Sequence, residues 1–206
     1  MKLYYSPGAC SLSDRIALLE AGFTFEHESV SLKDKTTASG ADFTAINPKG
    51  YVPALVLDGG EVVTENIAVL DWIAAQAPAL GVDGPLGRTR LLETLAYVST
   101  EVHKGFKPIF TGASDDEKAR ARAVISKRLR LLADRMQGDY LFGTRPTVAD
   151  CYLFVMPLWA DRFGLAIPER LSAFRDRMRT RPAVQAAMAA EGLPYSPRLD
   201  ARTGSA

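Results

Sequence analysis

The chain has 206 residues, 47% of them hydrophobic and 24% charged, with a formal net charge of +1. That is ordinary globular composition, long enough to bury one large core or two modest ones. A near-neutral balance removes any broad electrostatic reason to bind nucleic acid, an anionic membrane or an acidic partner. Two cysteines, Cys10 and Cys151, are too few for a disulfide framework, so the reducing cytosol is the expected home. The opening Met1-Lys2-Leu3-Tyr4-Tyr5-Ser6-Pro7-Gly8 reaches proline and glycine before any apolar stretch develops, unlike a signal peptide.

In chain order, Lys2–Tyr5 reads as a short strand stopped by Ser6-Pro7-Gly8. Leu12, Ile16 and Leu19 recur at helical spacing, with Gly22 as the stop. Phe25 to Leu32 is β-compatible and ends in the polar stretch Lys33 to Thr37. A short helical loop is expected next, then a strand over Pro53–Leu57, a turn at Asp58-Gly59-Gly60 and a returning strand at Glu61-Val62-Val63. After Thr64 a helix carries Ile67, Leu70, Ile73 and Ala77 on one face. Strands and helices in this order predict a mixed sheet with helices packed on it.

Ala77 to Gly87 is rich in proline and glycine and reads as a linker. Everything beyond it is expected to be helical. Leu91, Leu95, Val98, Val102, Phe106 and Ile109 form one long apolar stripe, and Ile125, Leu129, Leu132 and Met136 another. Thr147-Val148-Ala149-Asp150 matches a capping box ahead of the most apolar run, Cys151 to Ala160. That run is far short of the roughly 20 residues needed to span a bilayer, so it is expected to be a buried helix. Shorter helices are expected over Ala173–Thr180 and Ala183–Glu191, and a loose tail from Pro197 to Ala206. The division predicted is therefore residues 1–78, a linker at 79–87, and an all-helical part at 88–206.

Four places could carry chemistry. Cys10 follows a Pro-Gly turn and precedes a helix, where unpaired N–H groups would lower a thiol pKa or hold another molecule's thiolate; otherwise it is a small residue packed at a strand–helix joint. Val52-Pro53 is a candidate cis bond, which would turn the Val52 backbone outward to pair with an extended peptide. Thr64-Glu65-Asn66 opens a helix, and a helix N-terminus beside a carboxylate suits the zwitterionic end of an amino acid. His103 lies along one face with Ser99, Phe106 and Phe110, and alone reads as a helix-edge histidine. His27, between Glu26 and Glu28, is expected to face solvent, and Cys151 to be core. No metal-ligand spacing, P-loop or dinucleotide fingerprint occurs.

Together these features resemble the bacterial beta-class glutathione transferases along nearly the whole chain. The resemblance is carried by Met1 to Ser13, Ala45-Ile46-Asn47-Pro48-Lys49-Gly50 with Val52-Pro53, Thr64-Glu65, Glu101-Val102-His103-Lys104-Gly105, Thr147-Val148-Ala149-Asp150, and Arg181-Pro182 through Leu193. It implies a thioredoxin-like N-terminal domain followed by an all-helical C-terminal domain, in a homodimer joined through the long helix starting near Arg88. It also implies that Cys10 meets the glutathione sulfur, Lys35 reaches the glycyl end, and Val52 pairs with the cysteinyl backbone. Glu65 and Asn66 would hold the γ-glutamyl end, and His103 would approach the sulfur with Thr100 and Glu101 nearby.

Three departures stand out: Asn66 in place of a small residue, Ala96 in place of an asparagine that helps hold glutathione, and Asp14-Arg15 in place of Pro-His. The Asn66 amide would then donate to the γ-glutamyl carboxylate and do the work of the asparagine absent at Ala96. The activity implied is conjugation of the glutathione thiolate to a small hydrophobic electrophile, with Cys10 and His103 catalytic and Tyr5 or Ser11 as fallback hydroxyls. Here Cys10 is expected to have a lowered pKa beside a protonated His103. The alternatives are monothiol disulfide exchange through Cys10, or a transferase-like fold kept only to bind ligands or proteins.

Overall fold

The computed structural model describes residues 1–194, so the expected tail from Pro197 lies outside the described residues. Strands β1 (Lys2–Tyr5), β2 (Glu26–Ser31), β3 (Thr36–Thr37), β4 (Ala54–Val56) and β5 (Val62–Thr64) form one sheet in the order β3-β2-β1-β4-β5. β1 runs parallel to β2, and the other neighbours are antiparallel. The sheet is mixed because β1 and β2 are joined by a crossover helix, α1 (Leu12–Glu20), whereas β4 and β5 are joined by a tight turn.

Side-chain alternation distributes each strand between two layers. Leu3 and Leu55 face α1 and α2 (Asn66–Gln76), packing with Leu12, Ile16, Leu70 and Ile73. Tyr4 and Ala54 face the other way, onto Val30, Val52 and the fully buried Phe43 of a 3₁₀ turn at Phe43–Ala45. That turn is the short helical loop expected between the strands. β3 was not foreseen: two threonines inside a polar stretch pair with Val30 and Ser31, and their pattern carries no apolar signal.

The helical half comprises α3 (Gly87–Tyr97), α4 (Lys107–Phe110), α5 (Asp115–Arg135), α6 (Val148–Arg162), α7 (Glu169–Arg179) and α8 (Pro182–Ala190). Gly87 can open α3 only without a side chain, since a Cβ there would lie 1.9 Å from the Val82 carbonyl oxygen. The stripe Leu91–Ile109 is buried as expected but is not one α-helix. After α3 the chain makes a π-helical segment, Val98–His103, then a 3₁₀ turn, Lys104–Phe106, before α4. A regular apolar period registers burial, not the hydrogen-bond step, so it does not reveal such a change. Pro182 does more than separate two helices: it opens α8 at a position where its missing N–H costs nothing.

α6 is the central helix, buried from Val148 to Pro157. Asp150 accepts from the Thr147 N–H and hydroxyl, each at 2.8 Å, and from the Leu141 N–H at 2.8 Å, fixing the helix start. α1 packs against both α6 and α8, so the helix that follows the first strand is gripped by the helical half. Among the described residues no helix is long and apolar enough to cross a membrane.

Candidate functional site

A cavity of about 530 Å³ lies between the carboxyl end of β1, the segment before β4, the start of α2 and the helical half. Its floor is the loop Ser6–Cys10. Gly8 takes φ +69°, a left-handed value that glycine adopts without penalty. Both sides of Gly8 are held: its N–H donates to Glu191 at 2.9 Å, and its carbonyl accepts from the Trp159 indole at 2.8 Å. Glu191 also receives Arg15 at 3.0 Å, and that guanidinium stacks 4.1 Å over the Tyr5 ring. The departure at Arg15 is thus a buried clamp between α1 and the end of α8.

Cys10 borders the cavity with its sulfur 3.8 Å from the Val52 carbonyl. Burial, with the Asp14 carboxyl adding to it, pushes the thiol up to about 12. This corrects the expectation of a lowered pKa: the N–H groups at the start of α1 favour a thiolate, but they are outweighed by desolvation. His103 is moved in the matching direction. Burial first, and then the charge of Lys104, lowers its imidazole to about 4. The expected thiolate–imidazolium pair is therefore replaced by a neutral thiol and a neutral ring. The π segment delivers His103, whose Nδ1 lies 2.7 Å from the Tyr152 hydroxyl of α6. Ser99, one turn earlier, also lines the cavity and hydrogen-bonds that hydroxyl.

The opposite wall is built from main chain. Val52-Pro53 is cis, as expected, and Val52 lines the cavity ahead of β4. Glu65 precedes α2 with φ +73°, a conformation that a non-glycine residue holds only where its surroundings enforce it. Its carboxylate accepts from Lys49 at 2.6 Å and from the Tyr51 hydroxyl at 2.8 Å, and these two hold it below the usual range.

Asn66 does not present its amide to the cavity. In the orientation that satisfies both ends, its Nδ2 donates to Asp14 at 2.7 Å and its Oδ1 meets the Ser13 hydroxyl at 3.0 Å. Asp14 is completely buried, which raises its carboxyl well above the ordinary value. The polar Asn66 and Asp14 are therefore partners in the interior. In that orientation the Asn66 amide serves Asp14 and Ser13, whereas the sequence alone has it take over the role of an asparagine at position 96.

Of the expected site residues, Cys10, Val52, Glu65, Asn66 and His103 line the cavity. Lys35, Thr100 and Glu101 do not. Lys35 (φ +58°) reaches the Gly50 carbonyl at 2.7 Å, just outside the cavity. The Thr100 hydroxyl turns back to the Ala96 carbonyl at 2.9 Å, and Glu101 pairs with Arg128. The fallback hydroxyls are also elsewhere: Ser11 is fully buried, accepting from the Ser6 N–H, and Tyr5 is packed on Arg15 and His27. His27 is exposed and Cys151 is fully buried, as expected.

Sequence reasoning missed Tyr152, Trp159, Tyr51 and Arg162, all of which line the cavity. One signal was available for the first two. Apart from Cys151, they are the only hydrogen-bonding side chains in the apolar run Cys151–Ala160, and a buried hydroxyl or indole N–H needs a partner. Among the described residues no cluster of metal-ligating side chains occurs.

Comparison with known proteins points to one family. A family model described as glutathione S-transferase, N-terminal domain, matches residues 9–76, and one described as glutathione S-transferase, C-terminal domain, matches residues 95–182. The chain is 41% identical to glutathione S-transferase GstA of Escherichia coli O157:H7, over 94% of this chain and all of that protein. Among solved structures, the ternary complex of BphK, a bacterial GST, is similar at 44% identity with a TM-score of 0.89, covering 94% of this chain and all of that one. The bacterial beta class glutathione S-transferase of Sphingomonas chungbukensis is similar at 43% identity and TM-score 0.87, with the same coverage.

Proposed function

The chain belongs to the glutathione S-transferase family, and on that premise we propose that it conjugates the thiolate of glutathione to a small hydrophobic electrophile. One observation carries the reading: one cavity gathers the main chain at Val52, the Glu65 carboxylate, the buried Cys10 thiol beside Val52, and a neutral His103–Tyr152 pair. Glutathione's γ-glutamyl ammonium suits Glu65, its carboxylate the N–H groups opening α2 at Asn66, and its cysteinyl backbone Val52. Lys35 is the candidate for the glycyl carboxylate after it leaves Gly50.

The thiolate is the nucleophile, and a free thiol near pKa 8.5 is only a few per cent ionised at neutral pH. With Tyr152 donating to Nδ1, the ring proton of His103 sits on Nε2 and can be donated to the ligand sulfur. A neutral ring gives that hydrogen bond without first being protonated. The neutral Cys10 S–H is a second donor to the same thiolate. Because Cys10 keeps its proton, disulfide exchange through it is slow, and conjugation is favoured over the monothiol cycle.

We further propose a homodimer. Tyr97, Val124 and Leu131 line a groove between α3 and α5, with Val124 and Leu131 exposed. A two-fold contact there would cover both and would bring Thr100 and Glu101 to the subunit boundary. The units 1–78 and 88–206, joined through 79–87, and a place in the reducing cytosol belong to the same reading. Calorimetry with glutathione, followed by assays with aryl halides, epoxides, enones and mixed disulfides, tests it. Binding below millimolar together with turnover of at least one electrophile is expected; no heat with millimolar glutathione would overturn it.

A further inference from the structure

The half of the cavity away from Glu65 is lined by His103, Trp159 and Phe110, rings in one connected series that continues behind them to Phe163. Trp159 lies 4.9 Å from His103 and 5.0 Å from Phe110, each edge to face, and Phe110 lies 5.2 Å from Phe163. Phe110 is 46% exposed and lines the cavity, so part of its ring is open there rather than consumed in the core. The series ends on Arg162, whose guanidinium lies 5.5 Å over the Phe163 ring. Arg162 is exposed and lines the cavity.

Among the described residues no carboxylate is paired with Arg162. The neighbouring Asp161 is taken by Arg175 at 2.8 Å and Arg179 at 3.6 Å. Glu65, a carboxylate on the cavity wall, is held by Lys49 and Tyr51. Lys104 is a second cation on the wall, but its charge acts on Glu65 and His103, which places it toward the glutathione half. Among the described residues Arg162 therefore has no carboxylate partner at the far end of this aromatic wall.

Resting on the conjugation reading, we propose that the site selects flat, conjugated electrophiles that carry a carboxylate or another anionic group, and that Arg162 is the selecting residue. The flat body lies against Trp159 and Phe110, with its reactive carbon toward the His103 end. The anionic group meets Arg162, whose planar fork matches a carboxylate. For an aryl chloride the atoms and electrons balance simply. The thiol proton passes to solvent, the thiolate sulfur forms a bond to the ring carbon, and chloride leaves with the C–Cl electron pair.

Two measurements test this. The first compares kcat/KM for 4-chloro-3-nitrobenzoate with that for 1-chloro-2,4-dinitrobenzene, each divided by its uncatalysed rate with free glutathione. Arg162→Gln should lower the acid-to-neutral ratio about tenfold, the scale of one partly solvated charge pair. Arg162→Lys should keep most of it, and Arg162→Glu should lower it further. Arg120→Gln, an exposed change on α5, is the control. Raising the salt should erode the wild-type ratio, because exposed charges are screened. The second is calorimetry with S-(4-carboxybenzyl)glutathione and S-benzylglutathione, where the wild type should prefer the acid and Arg162→Gln should not. A ratio that moves less than twofold in Arg162→Gln, or equal affinity of the wild type for the two conjugates, overturns the proposal. Glutathione binding with neither electrophile turned over would overturn conjugation, and the calorimetric preference would then still decide whether Arg162 selects an anion.

Discussion

The two walls of the cavity are made differently. The sheet wall offers turns and main chain: a left-handed Gly8, a cis Val52-Pro53, and Glu65 in a left-handed conformation before α2. The helical wall offers side chains only, with Ser99, His103, Phe110, Tyr152, Trp159 and Arg162 arriving from two separate stretches of chain. Main-chain geometry is costly to alter, whereas a side chain on a helix can be exchanged without moving its backbone. A partner that never changes is best met by the first kind of wall, and one that varies between proteins by the second.

That contrast can be broken most directly at Trp159. Trp159→Ala removes a large, nearly buried ring and should cost about 3–5 kcal/mol of stability, seen as a lower Tm. If the walls are separate, glutathione affinity should stay within about twofold while KM for the electrophile rises; an equal loss in both would show that the indole bond to Gly8 ties them together. Acidification is the next largest effect. His103 binds its proton near pH 4 in the folded chain but near 6.5 when unfolded. Between these values the unfolded state binds more protons, so stability is full above about 6.5 and is lost as the pH falls toward 4. His103's share of that loss should be on the order of 3 kcal/mol, read by denaturant titration as the difference between wild type and His103→Gln. The difference is needed because the raised Asp150 carboxyl acts the other way over the same range. His103→Gln should flatten that part of the profile, and an NMR pKa for His103 above 6 would contradict it.

On the sheet wall, Glu65→Ala should weaken glutathione by about 1.5–3 kcal/mol, ten- to a hundredfold in Kd, because the ligand ammonium loses a charged partner. The variant should leave the His103 titration where it was. The smallest effect sharpens the comparison from inside. Asn66→Gly should lower stability by about 1 kcal/mol, by leaving Asp14 with one partner fewer, and should change the glutathione Kd less than twofold. A several-fold rise in Kd without loss of stability would return Asn66 to a ligand-contacting role.

The same contrast explains what could be read from the sequence. Strand, turn and helix starts of the sheet half are written in adjacent residues, so Pro7-Gly8, Val52-Pro53 and Thr64-Glu65 located that wall before any coordinates. Burial patterns likewise located the helical stretches of the other half, but not the break of the first stripe into α3, a π segment and α4. Besides the cavity residues Tyr152, Trp159, Tyr51 and Arg162, other features escaped. The short β3 pairs through threonines that also suit a loop. The ionisation of Cys10 and His103 depends on how deeply the tertiary structure buries them, and at Cys10 that burial outweighs the helix-end contribution. Asn66 and Asp14 are 52 residues apart in the chain, so two polar residues that satisfy each other in the interior looked like two independent departures. Arg15 gave the same difficulty, since its partner Glu191 lies near the other end of the chain.

The π-helical segment at Val98–His103 has a consequence for how this helix tolerates insertion and deletion. A π segment carries residues beyond the α-helical count, and each residue of an α-helix turns the chain by about 100°. Loss of one residue between Val98 and His103 would let the segment relax to an α-helix at little backbone cost. Because the π turn absorbs that extra residue, the flanks would keep nearly their present phase, and Leu91 and Leu95 would stay packed. What would be lost is the wider turn that delivers His103 to Tyr152. A one-residue deletion here should therefore spare the fold and displace the site, whereas a point substitution at the exposed Thr100 should do neither.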